Sequence, residues 1–151
     1  MTEMPTGSAT FSGDYAGLTI FDSGAPAQSI SSMLTGDAAL SVAFDEGTLT
    51  GSVTNREVLT SSGGDYLAYG AEDIMITDGM VREDGTFTAT TSGGAFTSTF
   101  VETWSANAGT VEGVFGGADG EAAAGVVRFA HVRTGDMSTF EELGAFVVTE
   151  D

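Results

Sequence analysis

The stretch at residues 110–129, TVEGVFGGADGEAAAGVVRF, decides how the rest of the 151-residue chain is read. Val111, Gly113 and Phe115 alternate with Glu112, Val114 and Gly116, the period of two that gives a strand two different faces. Gly116-Gly117-Ala118-Asp119-Gly120 then breaks the alternation with the residue types a tight turn needs. A second strand leaves from Glu121, with Ala123, Gly125, Val127 and Phe129 on one face and Ala122, Ala124, Val126 and Arg128 on the other. Glycine and alanine are poor strand formers. Their density here points to close approach of neighbouring backbone, as where a sheet curls into a barrel. The stretch reads as a closing hairpin of a small β-barrel.

Outward from this hairpin, the chain supplies the remaining strands. Residues 10–21 form an expected first strand with Phe11, Gly13, Tyr15, Gly17, Thr19 and Phe21 on one face. Residues 22–36 are polar, hold Pro26, and read as a loop with a helical turn around 29–34. Leu40, Val42 and Phe44 lead into Asp45-Glu46-Gly47 and return through Leu49, Gly51 and Val53, a clear hairpin. Residues 55–70 read as a connection with Gly63-Gly64-Asp65 at its tip. A further hairpin covers 72–91, turning at Glu83-Asp84-Gly85 and returning through Phe87 and Ala89. Phe96, Phe100 and Trp104 share one face of a single following strand, because Thr97, Thr99, Val101 and Thr103 favour extended backbone. Residues 134–142 are polar and read as a loop with one capped helical turn, and 145–149 as a last short strand. The expected fold is all-β: a single small antiparallel up-and-down barrel of about eight strands, with a short helix in a loop. Residues 1–9 are an N-terminal extension and 10–151 the barrel domain, within the ~100–200 residues usual for one domain.

Composition narrows the function. Twenty-two acids face four arginines (Arg56, Arg82, Arg128 and Arg133) with no lysine, a net charge of −18. Such a surface repels phosphate backbones and anionic lipid, so neither nucleic acid nor direct membrane insertion is expected. Cysteine is absent, which excludes disulfides, thiolate metal sites and a cysteine nucleophile. No stretch approaches the ~20 apolar residues of a membrane helix. The start, Met1-Thr2-Glu3-Met4-Pro5, has neither the basic nor the apolar region of a signal peptide.

Catalytic chemistry finds few footholds. The one histidine, His131, sits between Ala130 and Val132 near a strand end, with no G-x-S-x-G elbow to serve. It reads as a half-buried strand histidine close to a rim. The acid pairs Asp45-Glu46, Glu72-Asp73, Glu83-Asp84 and Glu141-Glu142 point to opposite faces wherever they lie on a strand, and they read as solvated turn residues. The segment 116–121 is one glycine–aspartate copy without a calcium-repeat phase, so no metal site is assigned. An enzyme is not expected. Phe44, Phe87, Phe96, Phe100, Trp104, Phe115 and Phe129 would fill the interior, which leaves recognition to loops at one rim. Tyr66 and Tyr69, beside Gly63-Gly64, are the candidate contact residues there.

The central hairpin also carries a family resemblance. Residues 115–125 resemble the hairpin of the β-barrel domain in transferrin-binding protein B-like bacterial surface lipoproteins, roughly Phe-Tyr-Gly-Pro-Asn/Asp-Ala-Glu-Glu-apolar-Ala/Gly-Gly. Phe115, Gly117, Asp119, Glu121, Ala124 and Gly125 fit, whereas Gly116, Ala118, Gly120 and Ala122 depart from the pattern. The Gly-x-Tyr-x-Gly of the first strand and the Asp84-Gly85-x-Phe87 turn are similar to the family as well. The resemblance implies a non-enzymatic binding module with a protein partner, iron- or haem-carrying. It also implies a place at the bacterial cell surface or in the periplasm, reached through an upstream signal that has been removed. No cofactor is required by the sequence, and haem is the one the resemblance makes worth testing. His131 is then the first iron ligand to examine, with Tyr66, Tyr69 and Met33 as alternatives, and Arg56 or Arg133 facing a propionate. The competing reading is a structural or decoration component of an extracellular or virus-like assembly.

Overall fold

Strict alternation of inward and outward side chains builds the wall of the protein. In β1 (Ser8–Phe21), Phe11, Tyr15 and Thr19 are buried while Ser12, Asp14 and Ala16 face solvent. In β10 (Ala122–Arg133), Ala123, Gly125, Val127, Phe129 and His131 are buried and the residues between them are not. The computed structural model describes residues 4–21, 29–59, 70–97, 103–133 and 139–151. The remaining strands are β2 (Ser29–Ala43), β3 (Thr48–Leu59), β4 (Gly70–Ala71), β5 (Ile74–Val81), β6 (Thr86–Gly93), β7 (Phe96–Thr97), β8 (Thr103–Ala106), β9 (Gly109–Gly116) and β11 (Thr139–Glu150).

All pairings are antiparallel. The order β1-β2-β3-β5-β6-β9-β10-β11 returns to β1, giving a closed eight-stranded barrel. Closure rests on an unbroken ladder between β1 and β11, from Phe11↔Glu150 to Phe21↔Phe140. The short strands β4, β7 and β8 continue β5, β6 and β9 toward one end, after interruptions at Glu72-Asp73, Gly94-Ala95 and Asn107-Ala108. Backbone bonds bridge these interruptions: Glu72 N–H donates to the Ala95 carbonyl at 2.9 Å and Gly94 N–H to the Asp73 carbonyl at 2.9 Å. Tight turns at 44–47, 82–85 and 117–121 close the opposite end, hereafter the turn end.

The interior of the turn end is aromatic. Phe115 contacts Phe87, Phe44 and Phe11 at ring-centroid distances of 5.1, 5.2 and 5.6 Å, and Phe87 stacks on Phe146 at 6.4 Å. Glycines in the strands make room for these rings. Phe87 lies directly opposite Gly113 and Phe146 directly opposite Gly125, and a Cβ on either glycine would collide with the facing ring. The small residues of the central hairpin are the slots into which neighbouring aromatics fit. In its turn, Gly117 adopts φ 89°, and the Glu121 carboxylate accepts from the N–H groups of Ala118 (3.3 Å) and Asp119 (2.9 Å). Phe115 and Gly125 thus pack the interior, and Gly117 and Glu121 shape the turn, with Asp119 contributing its backbone N–H.

Two bulges shift the alternation. Asn55 (φ 49°) and Asp78 (φ 52°) sit in the left-handed region, which Asn and Asp tolerate better than other side chains. In β3, Leu49 and Val53 point inward at odd positions, whereas beyond Asn55 the buried residue is the even-numbered Arg56. In β5 the inward set changes from Ile74 and Ile76 to Gly79 past Asp78. One extra residue in a strand inverts every side chain after it.

Several expected boundaries are corrected. The helical turn expected near 29–34 is part of β2, and the loop with a helical turn expected at 134–142 gives way to β11 from Thr139 onward. Among the described residues the only helical element is the 3-10 turn Phe44–Glu46, between strands. β3 extends to Leu59, into the expected connection, and β1 starts at Ser8, inside the expected extension. Phe96 and Trp104 do not share one strand: they face each other across the antiparallel pair β7–β8. The intervening Ser98-Thr99-Phe100-Val101-Glu102 contains no glycine, proline, asparagine or aspartate to announce a reversal, so propensity read straight through it. Phe100 lies outside the described residues.

The slot geometry sets a testable cost. Gly113→Ala is expected to destabilise by about 1–3 kcal/mol through overpacking against Phe87, a Tm drop of roughly 2–4 °C per kcal/mol. Adding Phe87→Leu should return part of that loss in a double-mutant cycle. Strict additivity of the two substitutions would refute the slot.

Candidate functional site

Toward the end opposite the turns, the interior changes from apolar to polar. Continuing the alternation of β11 backward from Val148 and Phe146 through Gly144 brings Glu142 to the inner face. Its neighbour Glu141 lies on the outer face and pairs with Arg128 at 2.9 Å. Glu142 is 0% exposed. A buried carboxylate is tolerated only with strong donors around it, and three side chains from three other strands supply them.

From β1, the Tyr15 hydroxyl donates to Oε1 at 2.7 Å. From β3, Arg56 Nη2 reaches both Oε1 and Oε2 at 2.6 Å. From β10, His131 Nε2 lies 3.0 Å from Oε2. An ionised carboxylate only accepts, so this imidazole nitrogen carries the proton. Each partner is itself held. Arg56 Nη1 donates to the carbonyls of Glu72 (2.7 Å) and Gly94 (3.1 Å), at two of the strand interruptions. The guanidinium carbon stands 5.8 Å from the centre of the Phe129 ring, which packs on the His131 ring at 4.8 Å. A Cβ on Gly144 would collide with the Tyr15 hydroxyl, so the absence of a side chain there gives that hydroxyl its place.

The cluster is close to neutral overall. Burial pushes the His131 imidazole down, outweighing the carboxylate beside it, so the ring is uncharged. Burial works to raise Glu142, but the donors His131, Arg56 and Tyr15 prevail and hold it below the usual carboxylate range. Burial first, and then the Glu142 charge, push the Tyr15 hydroxyl far above its usual value. One arginine cation thus balances one carboxylate. A carboxylate, an imidazole, a phenol and a guanidinium together resemble an acid–base set, yet Tyr15 is 2% exposed, Arg56 6% and His131 0%. Each is engaged with Glu142, and the arrangement acts as a strut joining β1, β3, β10 and β11.

The sequence-derived candidates separate accordingly. His131, expected half-buried near a rim, is fully buried, because β10 carries its inward alternation unbroken to this point and β11 covers it. Tyr66 and Tyr69 lie outside the described residues. Arg133 ends β10 opposite Trp104, and its side chain also lies outside them. Met33 is half-exposed on the outer face of β2, paired across to Leu59, and does not share a site with His131. Arg56, expected to face a propionate, turns inward to Glu142. Glu142 and Tyr15 were missed as site residues. The signal for Tyr15 was present in the period of two, and that for Glu142 appears only once β11 is extended back to Thr139; Arg56 had none, because the Asn55 bulge inverts the alternation just before it.

Comparison with known proteins yields a fold. No family model matches the chain, and no curated protein matches it in sequence. Among solved structures, the chain is similar to the isotype 1 transferrin binding protein B from serogroup B Neisseria meningitidis, with a TM-score of 0.56 and 14% identity. The match covers 99% of this chain and 28% of that one, so the barrel corresponds to a little over a quarter of the larger protein. The expected transferrin-binding protein B-like barrel fold is borne out.

The strut fixes how stability depends on pH. An unfolded histidine takes a proton below ~6.5 that the folded His131 refuses, so stability falls as pH drops from there; Glu142 adds to the loss below ~4.3. Above ~10 an unfolded tyrosine ionises while Tyr15 keeps its proton, so stability also falls on the alkaline side. Tm is therefore expected to peak between about pH 7 and 9. His131→Gln should flatten the limb between about pH 6.5 and 5, and Tyr15→Phe the alkaline limb. An acid limb unchanged in His131→Gln would contradict the assignment. Glu142→Gln leaves a buried arginine without its counter-charge and should cost about 3–5 kcal/mol in chemical denaturation.

Proposed function

We propose that the chain is a non-enzymatic protein-binding module of the bacterial surface or periplasm, presenting its partner with the barrel end above the Glu142 strut. The observation that carries this reading is the engagement of the chain's one histidine, with Tyr15, Arg56 and Glu142, inside the wall. Catalysis needs an acid or base within reach of a reacting atom, and these groups are turned toward one another. What the strut does supply is rigidity. It ties β1, β3, β10 and β11 at the end where the chain leaves β1, β3 and β10 for residues 22–28, 60–69 and 134–138. Loops on a rigid scaffold are the usual place for recognition, and Tyr66 and Tyr69 belong to one of these connections.

The similar barrel belongs to a protein whose name states that it binds transferrin, which makes an iron-carrying protein the first partner to test here. Haem has less support through His131, since an imidazole turned to iron would leave Glu142 without one of its donors. Immobilised protein exposed to iron-loaded transferrin in biolayer interferometry should bind saturably. Tyr66→Ala combined with Tyr69→Ala should weaken binding about tenfold or more, which is ~1.4 kcal/mol. Asp84→Ala, in a turn at the other end, should leave it unchanged. Equal loss in both variants overturns the assignment of the end, and no binding at all removes transferrin as the partner. Haemin titration should give no Soret shift that disappears in His131→Gln.

A further inference from the structure

The outer wall carries an apolar face that the barrel itself does not cover. Val147 on β11 is 62% exposed, and Val126 and Val114 are each 48% exposed. Cross-strand register makes the face continuous. Val147 lies opposite Ala124, which lies opposite Val114; one row along, Ala16 lies opposite Ala145, which lies opposite Val126. Side chains this close across antiparallel strands form a single surface. Across β11, β1, β2 and β3, the face dips into an open groove of about 780 Å³ with Ala16, Ala145 and Val147 in its lining.

Next to Val147 and onward to β3, the groove is acidic. Asp14, Asp37 and Glu57 line it, all exposed. Asp14 and Asp37 are direct cross-strand partners, an arrangement of like charges that a sheet ordinarily avoids. Asn55 donates to Asp37 at 2.6 Å, but it brings no charge. The chain has no lysine and four arginines. Of these, Arg56 is buried on Glu142 and Arg128 is paired with Glu141. A second copy of the chain therefore has little positive charge to offer this groove, and its −18 would repel the first.

We propose that this face docks an extended segment of another protein in which lysine or arginine alternates with apolar side chains. The apolar residues of such a segment lie on Val147, Ala145 and Ala16, and its cations reach Asp14, Asp37 and Glu57. An extended segment suits the site because its successive side chains leave on opposite sides, the apolar ones toward β11 and the cations toward β2 and β3. This surface is separate from the barrel end assigned above and does not depend on that assignment.

A synthetic peptide alternating lysine and valine over about eight residues is the probe, followed by amide chemical-shift mapping on the full chain. The expected result is a saturable shift centred on Ala16, Asp37, Ala145 and Val147. Affinity should fall about tenfold between ~50 and ~300 mM salt, as screening shortens. Val147→Ser and the double variant Asp14→Asn, Asp37→Asn should each weaken binding several-fold. Val147 faces solvent, so Val147→Ser should keep the parental Tm, and loss of the Asp14–Asp37 repulsion should leave the Tm of the double variant at or above the parent's. Tyr66→Ala with Tyr69→Ala should leave peptide binding intact, which separates this surface from the barrel end. Equal binding of a glutamate–valine peptide overturns the proposal. So do shifts centred on the 82–85 turn, and so does calcium moving Asp14 and Asp37 when the peptide does not.

Discussion

A carboxylate in the middle of a barrel is the constraint on which the rest of this structure depends. Glu142 loses its water on folding, and that loss is offset only if donors converge on it from several directions. Tyr15, Arg56 and His131 come from strands far apart in sequence, so their convergence requires the ring to be closed and in register. A slip of one residue between β1 and β11 would place Thr149 or Glu141 neighbours on the wrong face and remove Glu142 from the interior. The polar strut is therefore a check on register as well as a bond between strands. The aromatic cluster at the turn end favours the same register by shape, since Phe87 and Phe146 fit only opposite Gly113 and Gly125.

The two halves of the interior are built by different rules. At the turn end, bulk is matched to absence of bulk, with Phe87 over Gly113 and Phe146 over Gly125. At the other end, charge is matched to charge inside a wall that Arg56 helps to seal. Its guanidinium caps the carbonyls of Glu72 and Gly94 where the strands are interrupted. Buried carbonyls need such donors, since leaving a polar group unmatched in the interior is costly. One side chain thus serves both the carboxylate and the backbone.

The fold was largely legible because alternation with a period of two is a direct record of which face is buried. Phe11, Tyr15 and Thr19, and likewise Ala123 to His131, fall on the inner face as that record says. Legibility failed where chemistry and period disagree. Residues 29–36 and 139–142 fall within segments read as polar loops, yet nearly all of them pair with β1, whose own pattern is strong. Sequence neighbours do not reveal a partner strand, so tertiary pairing overrode local propensity. Glu142 was hidden by the same error, since a strand read as starting at 145 cannot have an inner face at 142. Arg56 was hidden by a single backbone angle at Asn55. The charge of −18 told what the surface repels and nothing of the one carboxylate that matters inside.

Closure of the ring by β1 and β11 has a consequence for anything that meets this protein. An open sheet offers a row of unused N–H and C=O groups along its border, and a visiting chain is able to extend the sheet there. Here the first and last strands of the ring use those groups on each other. The ring has no border to extend. The backbone is thereby silent toward partners along the length of the wall, and selectivity falls to the chemistry of the side chains that stand out from it.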